Sequence, residues 1–176
     1  MKSFRTFITH SIRELVFGIE DSLVSTLGTI TGIAVGAQST YIVLLSAFVL
    51  IASESTSMAA GSYLSSVSVE EVGGASKKRA TENPVTGAVV MWVSYVLGGF
   101  IPVLPYFFLP IHQAIPPSIL LTVITLFLVG FWTAEYTKRP RIRSGINMAV
   151  ISISAALIGY LIGYAINAYF GVAYSA

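Results

Sequence analysis

The chain has 176 residues, of which 55% are hydrophobic and 10% are Asp, Glu, Lys or Arg. Its mean hydropathy of +0.79 excludes an ordinary soluble domain, in which about a quarter of the residues are charged. The absence of cysteine excludes disulfides, thiolate metal sites and cysteine nucleophiles, and a net charge of +2 indicates no nucleic-acid partner. The sequence therefore predicts an all-α integral membrane protein, with room for one membrane domain.

The first fourteen residues predict a short amphipathic helix. Phe4, Phe7 and Ile8 share one face, whereas Arg5 lies on another. A helix of this kind lies in the membrane interface before the chain enters the bilayer. No small-residue cleavage site follows it, so we expect a retained first span and not a signal peptide. We predict an interfacial helix at 1–14 and a single membrane domain at 15–176.

The remaining apolar segments predict five transmembrane helices. A helix needs about twenty apolar residues to cross the roughly 30 Å of hydrocarbon. The run 85–134 contains no charged residue and is about twice that length, but five prolines crowd its middle and are expected to divide it. An aqueous segment at 66–83 separates the second span from the third. The predicted spans are about 15–36, 41–65, 85–109, 117–136 and 145–169.

The basic residues predict how these spans are oriented. With five crossings, all ten Lys and Arg residues lie on one side of the membrane. The positive-inside rule assigns that side to the cytoplasm, so the amino terminus is predicted inside and the carboxyl terminus outside. The basic residues are Lys2, Arg5, Arg13, Lys77, Lys78, Arg79, Lys138, Arg139, Arg141 and Arg143.

The first span carries the carboxylates that most need an explanation. Glu20 and Asp21 are adjacent within an apolar stretch, where an ionised side chain costs on the order of 3 kcal/mol and usually faces a polar cavity or partner. Glu14 lies seven residues before Asp21 on nearly the same face, where it either attracts cations or meets lipid headgroups. Asp21 is therefore the first candidate for an ion ligand. Glycines recur every four residues beyond it, at Gly28, Gly32 and Gly36, and predict close packing against another helix.

The second span places a carboxylate and a thioether on one face. Glu54, Met58 and Ser62 lie at i, i+4 and i+8. Carboxylate oxygen suits hard divalent cations, whereas thioether sulfur favours softer transition metals, so the mixed set argues against a pure calcium or magnesium site. The alternative is that the small residues of this span, Ser55 and Ser66 among them, only allow helices to pack closely and that Met58 fills a gap.

The remaining polar and aromatic residues give weaker signals. His112 lies in the predicted proline-rich connection, and a lone histidine in a loop is usually neither a metal ligand nor a pH sensor. We interpret Trp92, Tyr95 and Trp132 as interfacial anchors. The chain has no phosphate-binding glycine loop, zinc-protease motif or hydrolytic triad, so we do not expect an enzyme.

Several ordered motifs resemble those of the vacuolar iron transporter family. Residues 17–22, FGIEDS, look like the family's FGxxDG, and residues 57–63, SMAAGSY, look like its SMAxGxY. Asn83-Pro84, the stretch from Pro102 to Tyr106, and Arg143-Ser144-Gly145 also resemble the family in the same order along the chain. The likeness extends over essentially the whole chain.

This resemblance implies that Asp21 and Met58 line a transport path, and that the protein is a homodimer with the path near the subunit interface. The glycine face of the first span suits that arrangement. Many bacterial members carry Glu where this chain has Ser62, and here a carboxylate appears instead at Glu54. The family's metal-collecting cytoplasmic helices are replaced by the short segment 66–83, so the chain looks like a short member that lacks them.

Two functional hypotheses follow. The first is a divalent metal/proton exchanger that moves Fe²⁺ or Mn²⁺ out of the cytosol, with Asp21, Glu54 and Met58 as metal ligands and Glu20, Ser62 and Glu14 as further candidates. It needs no bound cofactor, and its partners are a second copy, the bilayer and the metal ion. The second is a non-transporting membrane scaffold or subunit with the same fold. Either would be a multi-pass protein of the cell membrane or of a vacuole-like organelle.

Overall fold

A computed structural model describes the backbone of residues 2–72, 83–137 and 140–170, and the side chains of residues 12–68, 83–135 and 140–170. The described chain is all-helical, without a strand, which confirms the predicted fold class. Its six helices are α1 (Lys2–Ala37), α2 (Thr40–Val72), α3 (Pro84–Val103), α4 (Pro105–Phe108), α5 (Ile111–Thr137) and α6 (Arg141–Phe170).

The predicted interfacial helix and the first span form one continuous helix. α1 runs without a break over 36 residues, which corresponds to about 54 Å. α2 is likewise longer than its predicted span and extends to Val72. The end of the predicted aqueous segment, residues 73–82, lies outside the described residues, as do the basic residues Lys77, Lys78 and Arg79.

Within the described chain, four helices are long and apolar enough to cross a membrane: Thr40–Ser68, Pro84–Val103, Ile111–Glu135 and Arg141–Phe170. α1 is not among them; its middle carries Glu20 and Asp21. Large apolar side chains such as Leu97, Leu128 and Leu161 face outward, whereas Ser22, Thr26, Ser118, Thr122 and Ser152 are buried inside the bundle. This distribution suits a lipid environment, and the chain is a multi-pass membrane protein. The fifth crossing stays a prediction.

Two helix boundaries follow from local chemistry. Gln38 adopts a left-handed φ of 48° just after α1, a conformation that commonly ends a helix, and α2 begins two residues later. The Asn83 side chain accepts a hydrogen bond from the Val85 amide at 3.0 Å, and Pro84 occupies the first turn of α3, where its missing N–H is not needed. α2 therefore begins at Thr40 and α3 at Pro84, each one residue before the predicted start of its span.

The proline-rich region differs from the prediction. α3 ends at Val103 and not near residue 109, because Pro105 has no amide to continue the ladder and instead begins the short α4. α5 begins at Ile111, six residues earlier than predicted, with Pro116 inside it. Pro116 and Pro117 have no amide to donate to the carbonyls four residues earlier, so the missing hydrogen bonds fall in the first turn of α5. The exposed His112 belongs to this turn and thus lies in a helix, not in the predicted connection.

Helix α1 is the centre of the bundle. It packs most extensively against α6 and α3, while α2 packs against α3 and α5 against α6. Gly18 lies beside Met91 and Thr26 beside Gly99, so α1 and α3 run in the same direction. α1 and α6 are parallel as well.

The glycine face of α1 packs against α6 of the same chain. A Cβ at Gly32 would lie 2.8 Å from the carbonyl oxygen of Gly159, and Gly28 and Gly36 face Ala155 and Gly163 in the same way. The prediction of close helix packing is therefore confirmed. This face is occupied within one chain, so the glycine spacing no longer supports a dimer interface.

Candidate functional site

Asp21 and Glu54 lie at a similar level on two neighbouring helices, 16 residues before the end of α1 at Ala37 and 14 residues after the start of α2 at Thr40. Asp21 lies midway along α1 and Glu54 midway along α2, and the two carboxylates interact electrostatically. Both side chains are half-buried. Two acidic groups at one level of a membrane bundle are costly unless a cation or protons accompany them. The pair is therefore the strongest ion-binding arrangement among the predicted site residues.

Tyr95 joins this pair from α3. Its side chain is 0% exposed, and its hydroxyl lies 2.8 Å from the Oγ of Ser25, which is one turn beyond Asp21 on α1. The interpretation of Tyr95 as an interfacial anchor is thus wrong. Its position near the middle of α3, away from the helix ends, was the signal in the sequence that pointed to burial. We call Asp21, Glu54, Ser25 and Tyr95 the carboxylate site.

Close backbone contact between α1 and α3 holds Tyr95 in place. A Cβ at Gly98 would overlap the Ser22 Oγ and lie 3.2 Å from the Cα of Ile19. The Ser22 hydroxyl is itself fixed by donating to the Ile19 carbonyl at 3.0 Å. Tyr95 is one turn before Gly98 on α3, and its hydroxyl reaches Ser25 further along α1.

The other predicted ligands lie either next to Asp21 and Glu54 along their helices or farther away, near the start of α3. Met58 is one turn from Glu54 on α2 and is half-buried, and Glu20 is half-buried beside Asp21. Glu14 and Ser62 meet near the beginning of α3, where the Glu14 Cγ and the Ser62 Oγ would lie 3.7 Å and 3.6 Å from a Cβ at Gly87. The structure thus brings together two groups, one around Asp21 and Glu54 and one around Glu14 and Ser62.

The described residues contain no group of three or more His, Asp or Glu side chains placed to hold a metal ion. The chain offers two carboxylates here, Asp21 and Glu54, with Met58 one turn from Glu54 on α2. Carboxylate oxygens alone suit hard cations, and a thioether added to them favours a borderline or softer transition metal. Two carboxylates and one thioether are too few ligands for a closed four-coordinate structural site.

A groove begins next to the carboxylate site. It has a volume of about 830 Å³ and lies between α1, the start of α2 and α6. Its lining is mainly apolar but includes the hydroxyl residues Ser25, Thr29 and Ser46. We call it the α1–α6 groove. Ser25 belongs to both the groove and the carboxylate site.

Sequence comparison places these features in a family context. A sequence profile of the VIT family matches residues 12–81 and 67–164 of the chain. A protein named vacuolar iron transporter from Centaurea cyanus is 37% identical over 91 residues, which cover 50% of this chain and 36% of that protein. A protein named vacuolar iron transporter homolog 4 from Arabidopsis thaliana is 27% identical over 150 residues, covering 79% of this chain and 75% of that protein.

An archaeal relative, the uncharacterized protein MJ0645 of Methanocaldococcus jannaschii, is 29% identical over 86 residues, covering 49% of this chain and 44% of its own length. The match thus spans about a third of the Centaurea protein and three quarters of the Arabidopsis homolog. The profile match includes all four residues of the carboxylate site as well as Met58. The chain belongs to the VIT family.

Proposed function

We propose that this protein is a divalent transition-metal/proton exchanger that moves Fe²⁺ or Mn²⁺ out of the cytosol. The observation that carries the proposal is the pairing of Asp21 and Glu54 across α1 and α2 in a chain whose relatives are named vacuolar iron transporters. The metal ion is the transported substrate. Its ligands are Asp21, Glu54 and Met58, and Glu20, Glu14 and Ser62 lie along the approach.

The paired carboxylates provide the coupling. Moving a +2 ion out of a negative interior costs about 4.6 kcal/mol per 100 mV, so export needs a second ion that moves downhill. In this mechanism, Asp21 and Glu54 bind the metal when ionised and release it when they take up protons. Each carboxylate therefore carries either metal or a proton, and the exchange follows from competition for the same oxygens.

The proposal includes five membrane crossings, with the amino terminus in the cytosol. The described helices support this topology, because α1 is parallel to α3 and α6 and packs along the middle of both. Since α3 and α6 qualify as membrane spans, a parallel neighbour at the same depth crosses with them. The proposal further includes a homodimer, in which the half-buried faces of Glu54 and Met58 meet a second copy.

Proton-coupled metal flux in proteoliposomes tests the function. We expect Fe²⁺ and Mn²⁺ to drive proton movement under an imposed pH gradient, with Co²⁺ and Zn²⁺ as further transition metals and Ca²⁺ as the hard-ion comparison. Asp21→Asn and Glu54→Gln should each abolish flux, because an amide can neither ionise nor take up the coupled proton. Glu135→Gln is the matched control, since Glu135 is exposed at the end of α5 and pairs with Arg141 at 3.8 Å.

The alternative scaffold role predicts a different result. Folded protein would carry no flux for any of these ions, and the Asp21 and Glu54 variants would alter only the stability of the dimer. Full flux in Asp21→Asn would refute the carboxylate mechanism even if transport itself were confirmed.

A further inference from the structure

We propose that Arg143 and Asn147 of α6 bind the phosphate group of an anionic phospholipid, in the leaflet beside the connection between α5 and α6. This ligand is separate from the ion of the proposed function, and its binding does not depend on transport. Three observations carry the inference: the direction of the two side chains, their depth in the bilayer and the charge around them.

Arg143 and Asn147 lie on the outward face of α6. Gly145 stands midway between them and is buried against α5, where a Cβ would come within 2.8 Å of the Phe127 ring. Each residue of a helix is turned by about 100° from the one before, so Arg143 and Asn147 both lie about 160° from Gly145, on the side away from α5. Both are exposed, as is Val150 about one turn further along the same face. The pair therefore faces the lipid and not the bundle.

The pair lies at the depth of the lipid headgroups. α6 is long and apolar enough to cross the membrane, and its residues 148–166 contain no charged side chain. This stretch covers roughly 30 Å, the thickness of the hydrocarbon core. Tyr169, which is 82% exposed just beyond it, suits the opposite interface. Arg143 and Asn147 precede the stretch, so they reach the headgroup region, where an exposed amide does not have to face hydrocarbon.

The surroundings of the pair carry an excess of positive charge. From Glu135 to Asn147 the sequence has four basic residues and one acidic residue. That acidic residue is already engaged, because its Oε2 lies 3.8 Å from Arg141, whose guanidinium also stands over the Phe131 ring at 5.6 Å. Among the described side chains, Arg143 has no acidic partner. An anionic headgroup neutralises this charge, whereas a zwitterionic one brings a further cation beside it.

Arginine and asparagine complement each other as ligands of a lipid phosphate. A guanidinium donates two parallel N–H bonds to phosphate oxygens. Asn147 lies one turn deeper than Arg143, and its Nδ2 donates to the phosphate or to an ester oxygen below it. The exposed Ile146 and Val150 beside it offer apolar surface to the acyl chains. Because a soluble phosphate has no acyl chain to use this surface, the site favours a lipid.

Native mass spectrometry of the purified protein in a non-ionic detergent measures this binding. The protein is titrated with dioleoyl phosphatidylglycerol and, separately, with dioleoyl phosphatidylcholine, which has the same acyl chains but no net charge. We expect the first phosphatidylglycerol to bind more tightly than phosphatidylcholine. Arg143→Gln should weaken its binding about fivefold, the factor that corresponds to the roughly 1 kcal/mol contributed by one arginine near a membrane surface.

Two further variants separate the charge from the hydrogen bond. Arg143→Lys keeps the charge and should retain most of the affinity for phosphatidylglycerol. Asn147→Leu keeps the charge of the site but removes one donor, so it should also weaken binding about fivefold, since one hydrogen bond contributes about 1 kcal/mol. Both positions are exposed, so each variant should elute and unfold as the wild type does.

Arg13→Gln is the matched control. Arg13 is exposed on α1 and precedes Gly28 by 15 positions, Arg143 precedes Ala155 by 12, and Gly28 packs beside Ala155. The two arginines therefore lie at a similar depth on parallel helices. Arg13→Gln removes the same charge from a different surface and should leave the affinity for phosphatidylglycerol unchanged.

Four results would each overturn the proposal. They are equal binding of the two lipids by the wild type, unchanged affinity in Arg143→Gln, an equal loss in Arg13→Gln, and displacement of phosphatidylglycerol by millimolar inorganic phosphate. The third would indicate a general attraction of anionic lipid to basic protein, and the fourth a site for soluble anions.

Discussion

Replacing Gly159 by alanine should destabilise the contact between α1 and α6. A Cβ at Gly159 would overlap the carbonyl oxygen of Gly28 and lie 2.9 Å from its carbonyl carbon and 3.2 Å from its Cα. These are main-chain atoms in the middle of α1, so they cannot turn aside as a flexible side chain does. The added methyl group therefore forces the two helices apart.

The magnitude follows from the size of that displacement. Carbon atoms pack at about 3.5 Å, so α6 must retreat by at least about 0.6 Å from the Gly28 carbonyl carbon, and a gap of this size forfeits about a quarter of each dispersion contact that it opens. Overpacking destabilises the fold by up to about 3 kcal/mol, whereas replacing glycine by alanine within a helix stabilises the fold by about 1 kcal/mol. The expected net loss is about 2 kcal/mol, or roughly 4–8 °C in Tm for a chain of this size.

Thermal unfolding of the purified protein in one detergent measures the effect. Gly36→Ala is the matched control, because Gly36 lies on the same glycine face of α1 but its Cβ would come no closer than 3.4 Å to the Gly163 carbonyl oxygen. The Gly36→Ala variant gains the same helix propensity without the clash, so its Tm should equal or exceed that of the wild type. If Gly159→Ala unfolds at the same temperature as Gly36→Ala, the packing argument is refuted.

Two further predictions concern stability. Ser118→Ala should cost about 1–3 kcal/mol, because the buried Ser118 hydroxyl donates to the Pro102 carbonyl at 2.6 Å, whereas the exposed Ser154→Ala should change stability by less than about 0.5 kcal/mol; equal effects would contradict the role of the Ser118 bond. Mn²⁺ at about a hundred times its Kd should stabilise the wild type by roughly 2.7 kcal/mol, measured as a rise in Tm. Asp21→Asn should lose this shift and Glu135→Gln should retain it; a shift of equal size in Asp21→Asn would exclude Asp21 as a ligand.

The long helices and some of their ends were accessible from the sequence, whereas the ends of α2 and α3, the starts of α5 and α6, and the short α4 were not. Apolar runs of membrane-spanning length predicted the long helices, and local chemistry marked their boundaries, as with Asn83 and Pro84 before α3. The proline-rich region was predicted less well. Proline indicates where a helical hydrogen bond is missing, but whether the helix ends there, as at Pro105, or continues, as at Pro116, depends on what else satisfies the freed carbonyls.

The sequence also identified Asp21 and Glu54 as candidates, since a carboxylate within an apolar helix costs free energy that simple packing does not require. That they belong to one site was not accessible from the sequence. Helical periodicity relates residues of one helix to each other, but it contains no information on how two helices are rotated about their axes. Tyr95 was misassigned although its position in the middle of the third span argued against an interfacial anchor; which neighbours surround its ring was decided only by the tertiary structure.

By itself, then, the sequence determined the environment of the protein, its helices and the residues that are costly in a bilayer, since each of these depends on composition and local spacing. Only the tertiary structure decided which helix receives the glycine face of α1, that Tyr95 joins Ser25 beside the two carboxylates, and that a groove begins at that point. These features arise from contacts between residues as much as 131 positions apart, such as Gly28 and Gly159, and close packing between helices selects them.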